Sequence, residues 1–245
     1  MPANLHLFGL VHLAILAAVP LLALLLARLQ RRLKPGAKPL RWLLALSLVL
    51  CSVAYYGNLI RHGEQMFPGH IPLELCDISL WITVFALLTL SPALFDLAYY
   101  YGIAGASMAL LTPNMQEPSL FLSIQFFTDH GLIVVAILYL VWSRQARPRP
   151  WSVARAAVVL NFIALAIGTF DALYNTDYMF LRAKPVTVSA LDILGPWPWY
   201  IVSCEAVGLG LFLLLYLPFR PGRTTATLPP STATSPQTQC APDLS

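Results

Sequence analysis

The hydrophobic pattern of the chain consists of long apolar runs separated by short polar or proline-rich breaks. A run of about 20 apolar residues crosses the ~30 Å hydrocarbon core of a bilayer as an α-helix. The pattern predicts seven such spans. They are placed at residues 6–29, 40–60, 71–90, 93–111, 119–142, 153–173 and 199–217. The expected fold class is therefore all-α, a polytopic membrane bundle of about seven transmembrane helices.

The fourth run has the weakest membrane signal, because it carries Asp96 and three consecutive tyrosines at 99–101. The first run is expected to remain as a span rather than act as a cleaved signal, because no positive charge precedes it and basic residues follow. We expect residues 1–220 to form one membrane domain. Residues 221–245 are rich in Pro, Ser and Thr, which predicts a disordered cytoplasmic tail.

Composition supports the membrane interpretation. The chain is 58% hydrophobic and 11% charged, with a mean hydropathy of +0.70. A soluble domain of 245 residues could not bury that much apolar surface. The net charge of +4 does not indicate a nucleic-acid partner, because lysine and arginine collect on the cytoplasmic side of membrane proteins. The expected partner is membrane lipid, and the chain is expected to be integral to a membrane.

The basic residues predict the orientation. With seven spans, 12 of the 15 fall on one side. These are Arg28, Arg31, Arg32, Lys34, Lys38, Arg41, Arg144, Arg147, Arg149, Arg155, Arg220 and Arg223. Only Arg61, Arg182 and Lys184 fall opposite. The positive-inside rule then places the N-terminus outside and the C-terminus inside, and an even number of spans would break this segregation.

Polar residues of the predicted spans share the outer half of the membrane. They are His12, Tyr55, Tyr56, Asn58, Cys76, Asp77, Asp129, His130, Asp171, Asn175, Cys204 and Glu205. Ionisable residues in spans usually face the bundle interior and indicate a functional site or pathway. Their common depth predicts one polar cavity that opens outward.

The segment "LELCDISL" at 73–80 opens the third predicted span. Helical geometry places Glu74 and Cys76 about 200° apart, so both cannot face one cavity. Cys76 and Asp77 are about 100° apart and can both border it. Glu74 is then expected to face the outer headgroups.

Cys76 and His130 form the most informative pair. A thiol becomes a strong nucleophile when a base removes its proton, and histidine suits that role near neutral pH. A third group usually orients the base, for which Asp77, Asp129 and Glu205 are candidates. Acyl transfer also needs donors to an oxyanion, and Asn175 and Tyr178 are candidates.

Other interpretations fit the same residues. Cys76 and His130 can be ordinary core residues, or Cys76 can form a disulfide with Cys204 in an oxidising exterior. A metal site is another interpretation, although no two of its His and Cys ligands have i, i+4 spacing; the candidate ligands are His12, His130, Cys76 and Asp77. The acidic residues can instead form a proton or cation path through a transporter, and a non-catalytic scaffold or sensor also fits.

Several motifs carry a family resemblance. The segments "LELCDISL", "YGIAGASMALLTP", "FFTDHGLIV", "YNTDYMFLRAKP" and "LDILGPWPWYI" occur in this order. Together they resemble the YwaF-like bacterial integral membrane family, which is related to the eukaryotic transmembrane protein 164 family. The resemblance covers roughly residues 40–218.

The resemblance implies lipid acyl transfer or hydrolysis, with the nucleophile at Cys76 and the base at His130. The positions of the acids add Asp77 or Asp129 as the group that orients the imidazole, and Asp77 is the third expected catalytic residue. The resemblance also implies a phospholipid or lysolipid substrate, and no cofactor or metal is expected. The residues expected to bind substrate are Asp129, Asn175, Asp177, Tyr178 and Glu205. The chain departs from the family pattern at Asp177, where Asn is common. A carboxylate accepts hydrogen bonds where an amide can also donate them.

Overall fold

The computed structural model describes residues 7–33, 36–113, 119–185 and 190–220, and these contain helices and no strands. The helices are α1 (Leu10–Arg32), α2 (Pro39–Arg61), α3 (Leu75–Thr89), α4 (Pro92–Tyr101), α5 (Ser107–Leu111), α6 (Leu120–Trp142), α7 (Ser152–Tyr174) and α8 (Trp199–Tyr216). A π-helical segment, Gly102–Ala106, joins α4 and α5 into one rod, Pro92–Leu111. The all-α prediction is confirmed, while the tail at 221–245 lies outside the described residues.

Within the described ranges, six helical segments are long and apolar enough to cross a bilayer, which supports an integral membrane protein. They are Leu10–Arg32, Pro39–Arg61, Pro92–Leu111, Leu120–Trp142, Ser152–Tyr174 and Trp199–Phe219. Helix α3 is also apolar but has 15 residues, because it begins at Leu75 rather than near the start of the predicted span. Seven crossings and an outward N-terminus therefore stay predictions.

Helix α6 is the centre of the bundle and packs against α1, α2, α3 and the π-helical segment. The C-terminal half of α6 is largely buried, with Ile133, Val135, Ala136, Ile137 and Leu140 almost fully enclosed. A helix that is apolar all round is stable in such a central position. Helices α1, α7 and α8 keep many exposed apolar side chains, as expected for surfaces that face lipid.

The rod of α4 and α5 approaches α6 most closely at Gly102. A methyl group on Gly102 would overlap Ile137, and it would lie 2.9 Å from Ile133 Cγ2 and 3.2 Å from Ser79 Oγ. Glycine is thus required for the close approach of three helices. Gly102 also begins the π-helical segment, an irregularity that is often found at functional sites.

The weakest predicted span tolerates the acid Asp96 because its carboxylate is fully paired. Its carboxylate is fully buried and accepts bonds from Arg149 Nε and Arg155 Nη1, at 2.9 Å and 2.5 Å. The backbone N–H of Arg149 also donates to Asp96, at 3.1 Å. Because the buried charge is paired and hydrogen-bonded, its desolvation is offset. The pairing joins α4 to α7 and to the connection before it.

The same end of the bundle carries further polar links between helices. Arg41 Nη1 donates to the carbonyl of Leu87 at 3.1 Å, which satisfies a carbonyl near the end of α3. The Tyr139 hydroxyl donates to Gln30 Oε1 at 2.8 Å and joins α6 to α1.

We expect Gly102→Ala to destabilise the protein by about 1–2 kcal/mol, because the added methyl group overfills the contact with Ile133 and Ile137. The matched control is Gly105→Ala, since the nearest neighbour there is Leu75 Cδ2 at an ordinary 3.8 Å. Thermal unfolding of detergent-solubilised protein measures both changes. Equal midpoints for the two variants would contradict the packing role assigned to Gly102.

Candidate functional site

Helices α2, α3 and α6 place a polar cluster in the half of the bundle away from Asp96. The Tyr56 hydroxyl donates to Asp77 Oδ1 at 3.1 Å and joins α2 to α3. The carboxyl group of Asp129 lies close to the Cys51 thiol, and that thiol contacts the carbonyl of Gln125 at 3.9 Å. Asp129 Oδ1 is buried and has no hydrogen-bond partner among the described residues. Three helices thus contribute polar groups to one cluster.

Cys76 lies at the edge of this cluster, close to the carboxyl groups of Asp77, Glu74 and Asp129. Within the described part of the chain, no hydrogen bond joins Cys76 to His130. The structure therefore brings the Cys76 thiol close to two of the predicted acids, Asp77 and Asp129. His130 lies on α6 and is not hydrogen-bonded to the thiol.

The hydrogen bond of His130 determines its tautomer. Its Nδ1 lies 2.8 Å from the carbonyl oxygen of Phe126. A carbonyl only accepts, so Nδ1 carries the proton, and in the neutral ring Nε2 keeps a free lone pair. The ring is thus held by a backbone carbonyl one helical turn earlier, and no hydrogen bond within the described ranges joins it to Asp77, Asp129 or Glu205.

The contacts of Gly102 show that Cys76 and His130 lie at a similar level along the bundle axis. Ser79 of α3 and Ile133 of α6 both pack against Gly102. Cys76 and His130 each precede these residues by three positions, about 4.5 Å along a helix axis. Helix α2 runs antiparallel to α3 and also antiparallel to α6. Helices α3 and α6 therefore run in the same direction. The thiol and the imidazole therefore lie at a similar level of the bundle.

The connection after α7 covers the cluster through Tyr178. The Tyr178 hydroxyl donates to the carbonyl of Pro68 at 2.7 Å and accepts the N–H of Ile71 at 3.1 Å. The buried carboxylate of Asp171 holds the backbone N–H of Tyr178 at 3.0 Å. Because its hydroxyl is already bonded twice, Tyr178 joins two connections and does not present a free donor.

Asp177 and Asn175 stabilise the same connection. Both carboxylate oxygens of Asp177 accept backbone N–H groups, those of Arg182 at 2.8 Å and Ala183 at 3.2 Å. Here the residue needs two acceptors and no donor, which a carboxylate supplies and an amide does not. Asn175 ends α7 in a left-handed conformation, and its Oδ1 accepts from Arg182 Nη1 at 3.1 Å.

Glu74 corrects a prediction from helical geometry. It is expected at the outer headgroups, but its carboxylate is partly buried and accepts the N–H of Met179 at 3.1 Å. The reason is that Glu74 precedes α3, so the helical angle does not apply to it. Burial raises the pKa of Glu74 to about 7, and the bond from Met179 opposes this shift.

Three other predicted residues lie away from the cluster. Glu205 of α8 is exposed and accepts a hydrogen bond from Asn161 Nδ2 of α7 at 2.5 Å. Cys204 and Cys76 are both free thiols, so no disulfide joins them in this structure. His12 is buried, with Nε2 2.7 Å from the carbonyl of Leu110, and it links α1 to α5.

Cys51 and Gln125 are cluster members that the sequence does not indicate. Cys51 lies in the middle of a predicted span and resembles an ordinary core residue by pattern alone. A comparison of depth along α2 and α6 could have paired it with Asp129. Among the described residues, no group of three or more His, Cys, Asp or Glu side chains is arranged to hold a metal ion.

Comparison with known proteins gives one family and one relative. A model described as the TMEM164 family matches residues 5–216. An uncharacterised protein of Treponema pallidum (strain Nichols) is similar to this chain, with 25% identity over 187 residues, covering 74% of this chain and 72% of the relative. No solved structure matches the chain.

We expect stability to depend on pH through Glu74. Its pKa is about 7 in the folded protein and lower when unfolded, so the protonated carboxyl stabilises the fold below about pH 4.5. This contribution is lost as pH rises through about 7. Glu74→Gln keeps an acceptor for Met179 without the charge. Between pH 5 and pH 8 its unfolding midpoint should rise relative to wild type, on the order of 3 °C.

The control is the exposed pair of Glu64 and His70, whose charged atoms lie 3.5 Å apart and whose side chains are 51% and 40% exposed. Because solvent screens an exposed pair, the double change Glu64→Gln with His70→Gln should alter the pH profile of the unfolding midpoint much less than Glu74→Gln does. A constant difference between Glu74→Gln and wild type across this range would refute the assignment to Glu74.

Proposed function

Because residues 5–216 match its family model, the chain belongs to the TMEM164 family, and we propose that it is a lipid acyltransferase or hydrolase of the bacterial inner membrane. Cys76 is the proposed nucleophile and His130 the proposed base. The substrate is a phospholipid or a lysolipid, which reaches the cluster from the outer leaflet.

The observation that carries the proposal is the free Nε2 lone pair of His130 at the level of Cys76. A general base needs an unprotonated nitrogen near the proton that it removes. The bond from Nδ1 to the carbonyl of Phe126 keeps that nitrogen available. Contact between the thiol and the imidazole is proposed to form when substrate binds, as catalytic hydrogen bonds often tighten in the substrate complex.

In the first proposed step, His130 Nε2 takes the Cys76 proton and the sulfur attacks the ester carbonyl carbon of a phospholipid. The bond from that carbon to the glycerol oxygen breaks, and the leaving oxygen takes the proton from the imidazolium. The products are a thioester on Cys76 and a lysolipid.

In the second proposed step, the hydroxyl of an acceptor lysolipid attacks the thioester and gives its proton to His130. The carbon–sulfur bond breaks, and the thiolate recovers a proton from the imidazolium. Water in place of the lysolipid gives hydrolysis. Asp77, held by Tyr56, and Asp129 are proposed to line the polar side of the substrate site.

We expect purified protein to transfer acyl groups from a phospholipid donor to a lysolipid acceptor. Cys76→Ala and His130→Ala should each reduce turnover by at least about 100-fold, because each removes a group that acts in the chemical step. Mass spectrometry of the lipid products measures the rate. Cys204→Ala is the control, since this thiol lies outside the cluster, and it should retain activity.

Undiminished turnover in Cys76→Ala or His130→Ala would contradict this mechanism. A thiol probe added from outside gives a second test that does not need the substrate. Labelling of Cys76 that is lost in His130→Ala supports an activated thiol, while equal labelling in both proteins argues against it.

The unpartnered Asp129 Oδ1 favours a second candidate, a proton or cation path through the cluster. In that case, flux into proteoliposomes should fall in Asp77→Asn or Asp129→Asn and persist in Cys76→Ser. Acyl transfer predicts the opposite dependence on Cys76, so the two functions are separable in the same set of variants.

A further inference from the structure

A cavity lies at the end of the bundle opposite to Cys76, where α3 and α6 end and α4 begins. Its volume is about 630 Å³, within the range of small-molecule sites. The lining residues are Leu90, Pro92, Phe95, Val141, Arg144, Gln145, Ala146, Arg147, Arg149 and Phe219. One side is therefore apolar, and the other carries three arginines from the connection between α6 and α7.

The spacing of two prolines orients the side chains of two of these arginines toward the same side of the chain. Arg147 and Arg149 each precede a proline, Pro148 and Pro150, and a residue before proline adopts an extended backbone. In an extended chain, residues i and i+2 point to the same side. Pro148 is itself buried, which anchors the connection between the two arginines. Both guanidinium groups thus border one cavity.

Arg144 occupies a position where glycine is usual. It follows the C-cap of α6 with φ of 61°, and the N–H of Gln145 bonds to the carbonyl of Leu140 at 3.0 Å. The N–H of Arg144 bonds to the carbonyl of Val141 at 3.0 Å, which completes a Schellman motif. An arginine in the left-handed region is strained, and such strain concentrates at functional sites.

The cavity has unbalanced positive charge. Of its arginines, Arg149 pairs with Asp96, and Asp96 also pairs with Arg155 outside the cavity. Arg144 and Arg147 have no hydrogen bond or ion pair from their side chains among the described residues. Asp96 is the only carboxylate that the described ranges place at this end, and it is already shared by two arginines. The cavity is therefore suited to an anion.

We propose that this cavity binds the phosphate group of an acidic phospholipid, with the headgroup at Arg144, Arg147 and Arg149 and the adjoining glycerol and chain region along Leu90, Val141 and Phe219. Arginine binds phosphate oxygens through paired N–H donors. Basic pockets between membrane helices commonly bind acidic lipid headgroups. The apolar wall favours a lipid over free phosphate, which has no apolar part to bury. The site is independent of the proposed chemistry at Cys76.

The test uses full-length protein in nonionic detergent. Its unfolding midpoint is measured with increasing dioctanoyl phosphatidylglycerol, dioctanoyl phosphatidylcholine or sodium phosphate, because a ligand that binds the folded state raises the midpoint. Phosphatidylglycerol should raise it in a saturable way. Phosphatidylcholine and sodium phosphate should have little effect at equal concentrations.

Arg144→Gly and Arg147→Gln remove the two unpaired charges. Arg144→Gly also relieves the left-handed strain, so this variant is expected to fold at least as well as wild type. The double variant should bind phosphatidylglycerol about thirty-fold more weakly, as expected from the loss of two basic residues at a lipid surface. Arg28→Gln, an exposed arginine of α1 outside the cavity, should retain wild-type binding.

Three outcomes overturn the proposal. Equal shifts with phosphatidylcholine would show that headgroup charge is not recognised, and an unchanged shift in Arg144→Gly with Arg147→Gln would place binding elsewhere. An equal shift with sodium phosphate that is lost in the double variant would replace the lipid with a soluble phosphate as the ligand.

Discussion

The close contact at Gly102 is the constraint on which the rest of the bundle depends. With only a hydrogen atom there, the rod of α4 and α5 reaches Ser79 on α3 and Ile133 on α6 at once. This contact sets the relative heights of α3 and α6. It consequently sets the level of Cys76 against His130, so a packing requirement in the core determines the geometry of the candidate site one helical turn away.

Buried acids at the two ends of the bundle differ in how completely they are hydrogen-bonded. Asp96 is bound by two arginines and a backbone N–H, and it joins α4 to α7 as a structural element. Asp129 keeps one oxygen without a partner in the described part of the chain. Asp129 therefore keeps an acceptor oxygen of the kind that Asp96 has already used. This contrast separates the structural end from the candidate site.

The connection after α7 shows how residues that resemble binding groups serve structure instead. Tyr178 joins it to Pro68 and Ile71, and the Asp177 carboxylate satisfies two backbone N–H groups. Loops above a membrane site need such side-chain acceptors because no regular ladder pairs their amides. The cover over the cluster is therefore held by the residues that sequence spacing marks as candidates for substrate contact.

The sequence by itself determined the helical membrane architecture, because apolar runs of bilayer length admit only helices whose backbone bonds are internal. It also indicated the shared depth of Cys76, Asp77, Asp129 and His130, since depth follows from position along a span. Only the tertiary structure decided which faces meet. Three contacts depend on the rotation and approach of segments that are distant in the chain. They are the approach of Asp129 to Cys51, the hydrogen bond from the Met179 N–H to Glu74, and the ion pairs of two arginines with Asp96. Periodicity within one helix does not specify that rotation, because it is set by packing against neighbours such as the Gly102 contact.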